Sequence, residues 1–253
     1  MESHKGHIVL LGAGPGDPEL ITLKGLKCLR QADVILYDAL VSEELLDWNA
    51  TAIKKFVGKR RGVPSKSQKE INELMLHYAR CGAKVVRLKG GDPMVFGRAG
   101  AEILEAQREG IPIDVIPGIS SFLGAAASQK IPLTQRGNSQ SFWVVTGHTQ
   151  DGKIPEDLRL AAQSSATVVV LMGMKFLKQI QKEFLAHKSL DYPVTVVQNA
   201  TTRVERKLET TLEKLSSDVK AHGIDNPAVL IFGTHSFPKN KFSKSWNQWI
   251  HAE

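Results

Sequence analysis

Short runs of β-branched and other apolar residues alternate along this chain with stretches in which apolar side chains recur every three or four positions. The clearest helical stretch is 67–81, where Ile71, Leu74, Met75, Tyr78 and Ala79 fall at i, i+3, i+4, i+7 and i+8 and make one apolar face. Ser67 with Glu70 matches a capping box, and Gly82 is placed to stop the helix. Residues 22–31 predict a second helix, and residues 7–11, 34–37 and 85–88 predict strands. This alternation points to α/β architecture on a mainly parallel sheet. After Pro117-Gly118 the pattern starts again, with strands expected at 142–146, 167–172, 194–198 and 228–232 and helices at 176–185 and 212–221. One sheet holding all these strands would be large. The expectation is two α/β domains, residues 1–116 and residues 117–253, the second beginning with a linker that runs to residue 140. No fixed-period repeat and no low-complexity segment interrupts the pattern.

The 253 residues suffice for cores of that size. No apolar run reaches the roughly 18 residues of a membrane helix. The start, 1–7, is polar, and the short apolar run after it ends in glycines, which reads as a first strand and not as a signal peptide. Cys28 and Cys81 form no CxxC pair and read as reduced thiols of a cytoplasmic protein. Without a secretory signal the Asn-x-Thr sequons at Asn49 and Asn199 carry no meaning. The eight histidines show no ligand spacing, so no metal is expected. The formal charge of +7 suits a polyanionic partner, whether nucleic acid, anionic lipid or a small molecule. The basic residues are spread out, apart from Lys54-Lys55, Lys59-Arg60-Arg61 and the last lysines, and there is no aromatic-rich ribonucleoprotein motif.

Chemistry concentrates in glycine loops at strand ends. The first is Gly12-Ala13-Gly14-Pro15-Gly16-Asp17-Pro18. A dinucleotide fingerprint needs a third glycine where Asp17 stands, and the two prolines stiffen the loop, so a nicotinamide site is disfavoured. The second is Arg87-Leu88-Lys89-Gly90-Gly91-Asp92-Pro93, which lacks the P-loop pattern but lets a ligand approach the backbone. Asp92 there reads either as an acceptor for an amine or ribose hydroxyls or as a helix cap. Pro117-Gly118-Ile119-Ser120-Ser121, followed by small residues at 124–128, offers backbone N–H groups at a helix start. Thr146-Gly147-His148 and Leu171-Met172-Gly173-Met174 follow, each weak alone.

In this order, with YDxLV at 37–41, VGKR at 57–60, IPLT at 131–134 and NPAxLIxG at 226–233, these motifs cover nearly the whole chain. The set closely resembles the tetrapyrrole methyltransferase family, and within it the members that methylate uroporphyrinogen III. The chain departs from the usual GRGGEE run at Ala99 and Ala101, and has Gln135 where the family has histidine. The resemblance implies two α/β domains of the class III methyltransferase type with S-adenosylmethionine held between them. It implies transfer of methyl groups to C-2 and C-7 of uroporphyrinogen III, giving precorrin-2 for sirohaem or cobalamin synthesis. Another precorrin methyltransferase of the same fold, or an RNA or protein methyltransferase on the same scaffold, are the alternatives.

Residue by residue, the resemblance makes Asp38 a proton acceptor and Lys59 a proton donor. An aspartate that only orients a substrate nitrogen is the competing reading of Asp38. Cofactor contacts carry over to Pro15, Gly90, Gly91, Asp92, Val95, Ser120, Ser121, Met172, Ala200 and Ala228. Arg60 and Arg61 suit the eight carboxylates of the substrate. A homodimer is implied, with no nucleic acid or membrane partner. Nothing in the sequence resembles the dehydrogenase–chelatase domain of fused relatives, so oxidation and metal insertion are expected elsewhere.

Overall fold

The computed structural model describes residues 6–58, 66–137 and 139–234. Two five-stranded sheets organise them. The first contains β1 (His7–Gly12), β2 (Val34–Tyr37), β3 (Ile53–Phe56), β4 (Lys84–Lys89) and β5 (Ile113–Ile116) in the order β3-β2-β4-β1-β5. All its pairings are parallel.

Helices cover both faces of this sheet, as parallel strands require. The helices are α1 (Leu23–Arg30), α2 (Gln68–Arg80) and α3 (Ala99–Arg108). Successive strand residues point to opposite faces. Ile8, Leu10, Val34, Leu36 and Val85 pack with Ile71, Met75 and Ala79 of α2 and Ala106 of α3. Leu11, Ile35, Val86 and Leu88 pack on the other face with Leu29 of α1 and with Leu45 and Leu46.

The expected helix caps are present. Thr22 Oγ1 accepts from the Gly25 amide at 3.0 Å. At α2 the Ser67 hydroxyl accepts from the Glu70 amide at 3.2 Å, while the Ser67 amide donates to Glu70 Oε2 at 2.6 Å. Gly82 follows with φ of 85°, the left-handed stop that glycine adopts most readily.

The second sheet comprises β6 (Phe142–Thr146), β7 (Thr167–Leu171), β8 (Pro193–Gln198), β9 (Arg206–Thr211) and β10 (Ala228–Phe232), ordered β6-β7-β10-β8-β9. Here the expectation of a mainly parallel sheet needs correction. Only β6 and β7 are parallel, and β10-β7, β10-β8 and β8-β9 are antiparallel. The physical reason is connection length. Residues 199–205 join β8 to β9 without a helix, and a short loop of that kind reverses the chain where a parallel pair needs a crossover.

One face of this sheet packs on α5 (Glu156–Gln163), α6 (Leu177–Leu185) and α7 (Leu215–Ala221) through Val168, Val170, Val194, Val196, Leu230 and Phe232. The other face, with Val169, Val197, Val229 and Ile231, packs on Phe122, Ala125 and Ala126 of α4 (Ser121–Ser128). The segment between the sheets therefore supplies part of the second core.

Candidate active site

In a parallel sheet, ligands bind beyond the carboxyl ends of the strands. The loops after β1, β4 and β5 meet there backbone against backbone at their glycines. Gly14 and Gly91 exchange backbone hydrogen bonds, at 3.2 Å from the Gly14 amide and 2.7 Å from the Gly91 amide. A Cβ on Gly12 would lie 2.4 Å from the Gly118 amide nitrogen, and one on Gly118 would lie 2.4 Å from the Gly91 carbonyl oxygen. Glycine at these two positions is a condition for the three loops to touch.

Asp92 locks this junction. Its Oδ2 accepts from the Gly118 amide at 3.0 Å, and its Oδ1 accepts from the Met94 amide at 2.8 Å. Both oxygens thus serve the backbone, which favours the structural reading of Asp92 over direct ribose recognition. Gly91 differs from its neighbours. With φ of 69°, a Cβ there would touch the Ser120-Ser121 backbone at ordinary contact distance, 3.7 Å from Ser121 N, so Gly91 is not pressed as Gly12 and Gly118 are. Ser120 stands at the N-cap of α4 without a side-chain cap hydrogen bond, and the Leu123 and Gly124 amides donate to its carbonyl at 3.0 and 3.1 Å.

The first loop also reaches the second sheet. The Asp17 amide donates to Thr201 Oγ1 at 3.0 Å. A Cβ on Gly16 would strike Ala200 O at 2.8 Å, and Pro15 lies against Gly124 of α4. Ala228 begins β10 in register with Gln198, and the Asn199 amide donates to the Pro227 carbonyl at 3.0 Å. Pro15, Gly90, Gly91, Asp92, Ser120, Ser121, Ala200 and Ala228 are thus borne on adjoining loops and strand ends.

Met172 follows β7 directly, with φ of 57°, exposed, and its carbonyl lies 3.2 Å from His148 Nδ1. Phe96, Arg98, Asn199 and Thr201 are left-handed as well. Such strained backbone is held only where surrounding structure imposes it, and functional loops concentrate it. Met94, Val95, Phe96, Leu40 and Met172 keep apolar surface exposed around these loops.

Asp38 follows β2 and sits next to β4. Its Oδ1 accepts from Arg87 Nη2 at 2.6 Å, and its side chain is 28% exposed. Arg87 Nε in turn reaches Glu102 Oε1 at 3.2 Å, and Lys89 Nζ reaches Glu102 Oε2 at 2.8 Å. Burial pushes the Lys89 ammonium below the ordinary lysine range; the Arg87 charge adds to this, and Glu102 and Asp38 oppose it. Sequence reasoning missed Arg87, Lys89 and Glu102 as a unit. The one signal for it was Arg87 and Lys89 at alternate positions in the inner part of a strand otherwise apolar after Lys84.

Gly58 packs against the Ala39 amide beside Asp38, where a Cβ would stand 2.4 Å away. Lys59, Arg60 and Arg61, expected as donor and carboxylate ligands, lie outside the described residues. Among the described residues no group of three or more His, Cys, Asp or Glu side chains is arranged to hold a metal ion. None of the described helices is long and apolar enough to cross a membrane.

Glycine loops at the ends of a parallel sheet, adjoining strand ends of a mixed second sheet, define a two-domain α/β protein whose loops meet at the junction. The model of the Tetrapyrrole (Corrin/Porphyrin) Methylases matches residues 7–216, and the chain belongs to that family. It is 43% identical over 231 residues to uroporphyrinogen-III C-methyltransferase of Methanocaldococcus jannaschii, covering 90% of this chain and 96% of that protein. Siroheme synthase 2 of Aeromonas hydrophila subsp. hydrophila is 45% identical over 233 residues, covering 90% of this chain and 48% of that protein. The chain thus spans about half the length of the siroheme synthases it matches. Among solved structures, uroporphyrin-III C-methyl transferase from Thermus thermophilus complexed with S-adenyl homocysteine superposes with a TM-score of 0.77 at 42% identity, covering 90% of this chain and 97% of that one.

Proposed function

We propose that this protein transfers methyl groups from S-adenosylmethionine to C-2 and C-7 of uroporphyrinogen III, giving precorrin-2. The observation that carries the reading is full-length likeness to uroporphyrinogen-III C-methyltransferases, over 96% of one and 97% of another. The chemistry of the junction fits the cofactor. The start of α4, which has no side-chain cap hydrogen bond, suits a carboxylate, the side-chain-free backbone of Gly91 admits a close approach, and exposed apolar side chains suit an adenine ring. Pro15, Gly90, Gly91, Asp92, Val95, Ser120, Ser121, Met172, Ala200 and Ala228 are proposed to form this site.

The sulfonium supplies an activated methyl group, and the enamine-like pyrrole carbon is the nucleophile. The protein's share is alignment, exclusion of water and proton handling. Asp38 is proposed as the acceptor. Arg87 occupies one of its oxygens, and the other has no partner among the described residues. That oxygen takes a pyrrole N–H and then the proton the macrocycle loses. Lys59 is proposed as donor, and Arg60 and Arg61 as ligands of the substrate carboxylates.

The protein is further proposed to act in the cytoplasm as a homodimer. Support for self-association comes from Phe142 and Trp143, which expose aromatic surface on the edge strand β6. The test of function is methyl transfer to enzymatically generated uroporphyrinogen III, read by mass. A gain of two methyl groups is expected. Cofactor binding without that product overturns the substrate assignment and directs the search to later precorrins.

A further inference from the structure

Beneath Asp38 lies a charge cluster that the proposed chemistry does not itself require. Arg87 and Lys89 are two residues apart on β4, and their side chains are each 4% exposed. Both end on Glu102 of α3, whose side chain is wholly buried. With Asp38 the cluster holds two cations and two carboxylates.

Stability alone is a poor explanation for it. Well-packed apolar residues usually serve a core at least as well as buried ion pairs, whereas loss of one partner is strongly destabilising. The cluster is also directional. One end is closed by α2, where Gln68 Nε2 donates to Glu102 Oε1 at 3.3 Å and to Asn72 Oδ1 at 3.0 Å. The other end is Asp38, the cluster's most exposed member, beside the loops that meet at the junction.

Resting on the methyl-transfer reading above, we propose that Glu102 is a positioning residue: through Arg87 it holds the Asp38 carboxylate in the orientation the reaction uses. The guanidinium is a rigid plane, so fixing one nitrogen sets the direction of the others. Glu102 holds Nε, and the Leu36 and Leu88 carbonyls accept from Nη1 at 3.3 and 3.2 Å. Nη2 then has one place to go, and Asp38 is there at 2.6 Å. Lys89 holds the second oxygen of Glu102 and keeps that carboxylate from turning away.

Glu102→Gln removes the anion that faces both cations. Lys89→Gln/Glu102→Gln removes one charge of each sign and serves where the single variant fails to fold. In the crystal structure of either variant the Arg87 guanidinium is expected to leave Asp38; a contact kept at 2.6 Å overturns the proposal whatever the enzyme methylates.

In turnover, kcat is expected to fall about tenfold to a hundredfold, with S-adenosylhomocysteine affinity held within about twofold. Made in an Asp38→Asn background, the same change is expected to cost less than about threefold, because a residue that acts through Asp38 has nothing left to act on. Losses that multiply in that background, or cofactor affinity that falls in step with kcat, overturn the positioning role. A wild-type chain that yields no methylated tetrapyrrole refutes the earlier reading instead, and the crystallographic comparison then decides the role of Glu102 by itself.

Discussion

At the scale of single residues, Asp92 shows how a motif position acquires its meaning. The sequence allows a ligand contact or a cap, and the structure gives both carboxylate oxygens to backbone amides, those of Gly118 and Met94. Asp92 therefore serves the junction by holding the loop after β4 to the loop after β5. Removing it leaves two amides to find new partners, a cost of about 1–3 kcal/mol. Asp92→Ala is expected to weaken S-adenosylhomocysteine binding about tenfold to a hundredfold in calorimetry, since the loops that line the site lose their register. Unchanged affinity would remove Asp92 from the site. Asp38 teaches the complementary lesson. Its place at a strand end is legible from Tyr37-Asp38, but its partner Arg87 is 49 residues away and its dependence on Glu102 is further still. No local pattern records such a pairing.

Elements with a long, regular apolar pattern were legible, whereas the helices α3 and α5 were not foreseen although they carry buried core residues such as Ala106 and Leu158. α2 has a full apolar face and reciprocal caps, and the expected 67–81 became Gln68–Arg80 with Ser67 and Cys81 as its caps. Strand 34–37 matched β2 to the residue. The strands not foreseen are β3, β5 and β9. All three are sheet edges whose polar residues break the apolar run, Lys54 and Lys55 in β3, Asp114 in β5 and Arg206, Lys207 and Glu209 in β9. Charged edges guard against pairing with other chains, and the same charges hide the strand from a hydrophobicity reading. The α2 cap makes its own prediction. Ser67→Ala is expected to lower unfolding free energy by about 1 kcal/mol in denaturant titrations. The backbone hydrogen bond from Ser67 holds the Glu70 carboxyl below its ordinary range, and the Ser67 side chain adds to this. A carboxyl with a lowered folded-state pKa stabilises above its unfolded pKa, and that contribution is lost as pH falls through the folded value. The stability gap between wild type and Glu70→Gln is therefore expected to close on acidification through that window. A gap that stays constant into acid would show that the Glu70 charge plays no part in the cap.

For the whole molecule, charge and topology act together. A net charge of +7 raises the local concentration of a substrate with eight carboxylates, and salt screens that attraction beyond a Debye length of about 10 Å at 0.1 M. KM for the tetrapyrrole is expected to rise several-fold between roughly 0.05 and 0.5 M salt, with cofactor affinity changing little. A salt-independent KM would mean that the basic residues do not take part in capture. The sequence by itself determined the α/β class, the helices and central strands with strong periodicity, and the order of glycine loops that marks the family. These are local or linear properties, set by side-chain period, capping chemistry and the need for glycine where chains touch. Tertiary structure alone decided the strand orders, the largely antiparallel second sheet, the packing of α4 under it and the contact of Asp17 with Thr201. It alone joined Asp38, Arg87, Lys89 and Glu102. Hydrogen-bonded strand partners and buried counter-ions are chosen by closeness in space: residues 49 positions apart meet once β2 and β4 have paired in the first sheet, and residues 184 apart only once both sheets have formed.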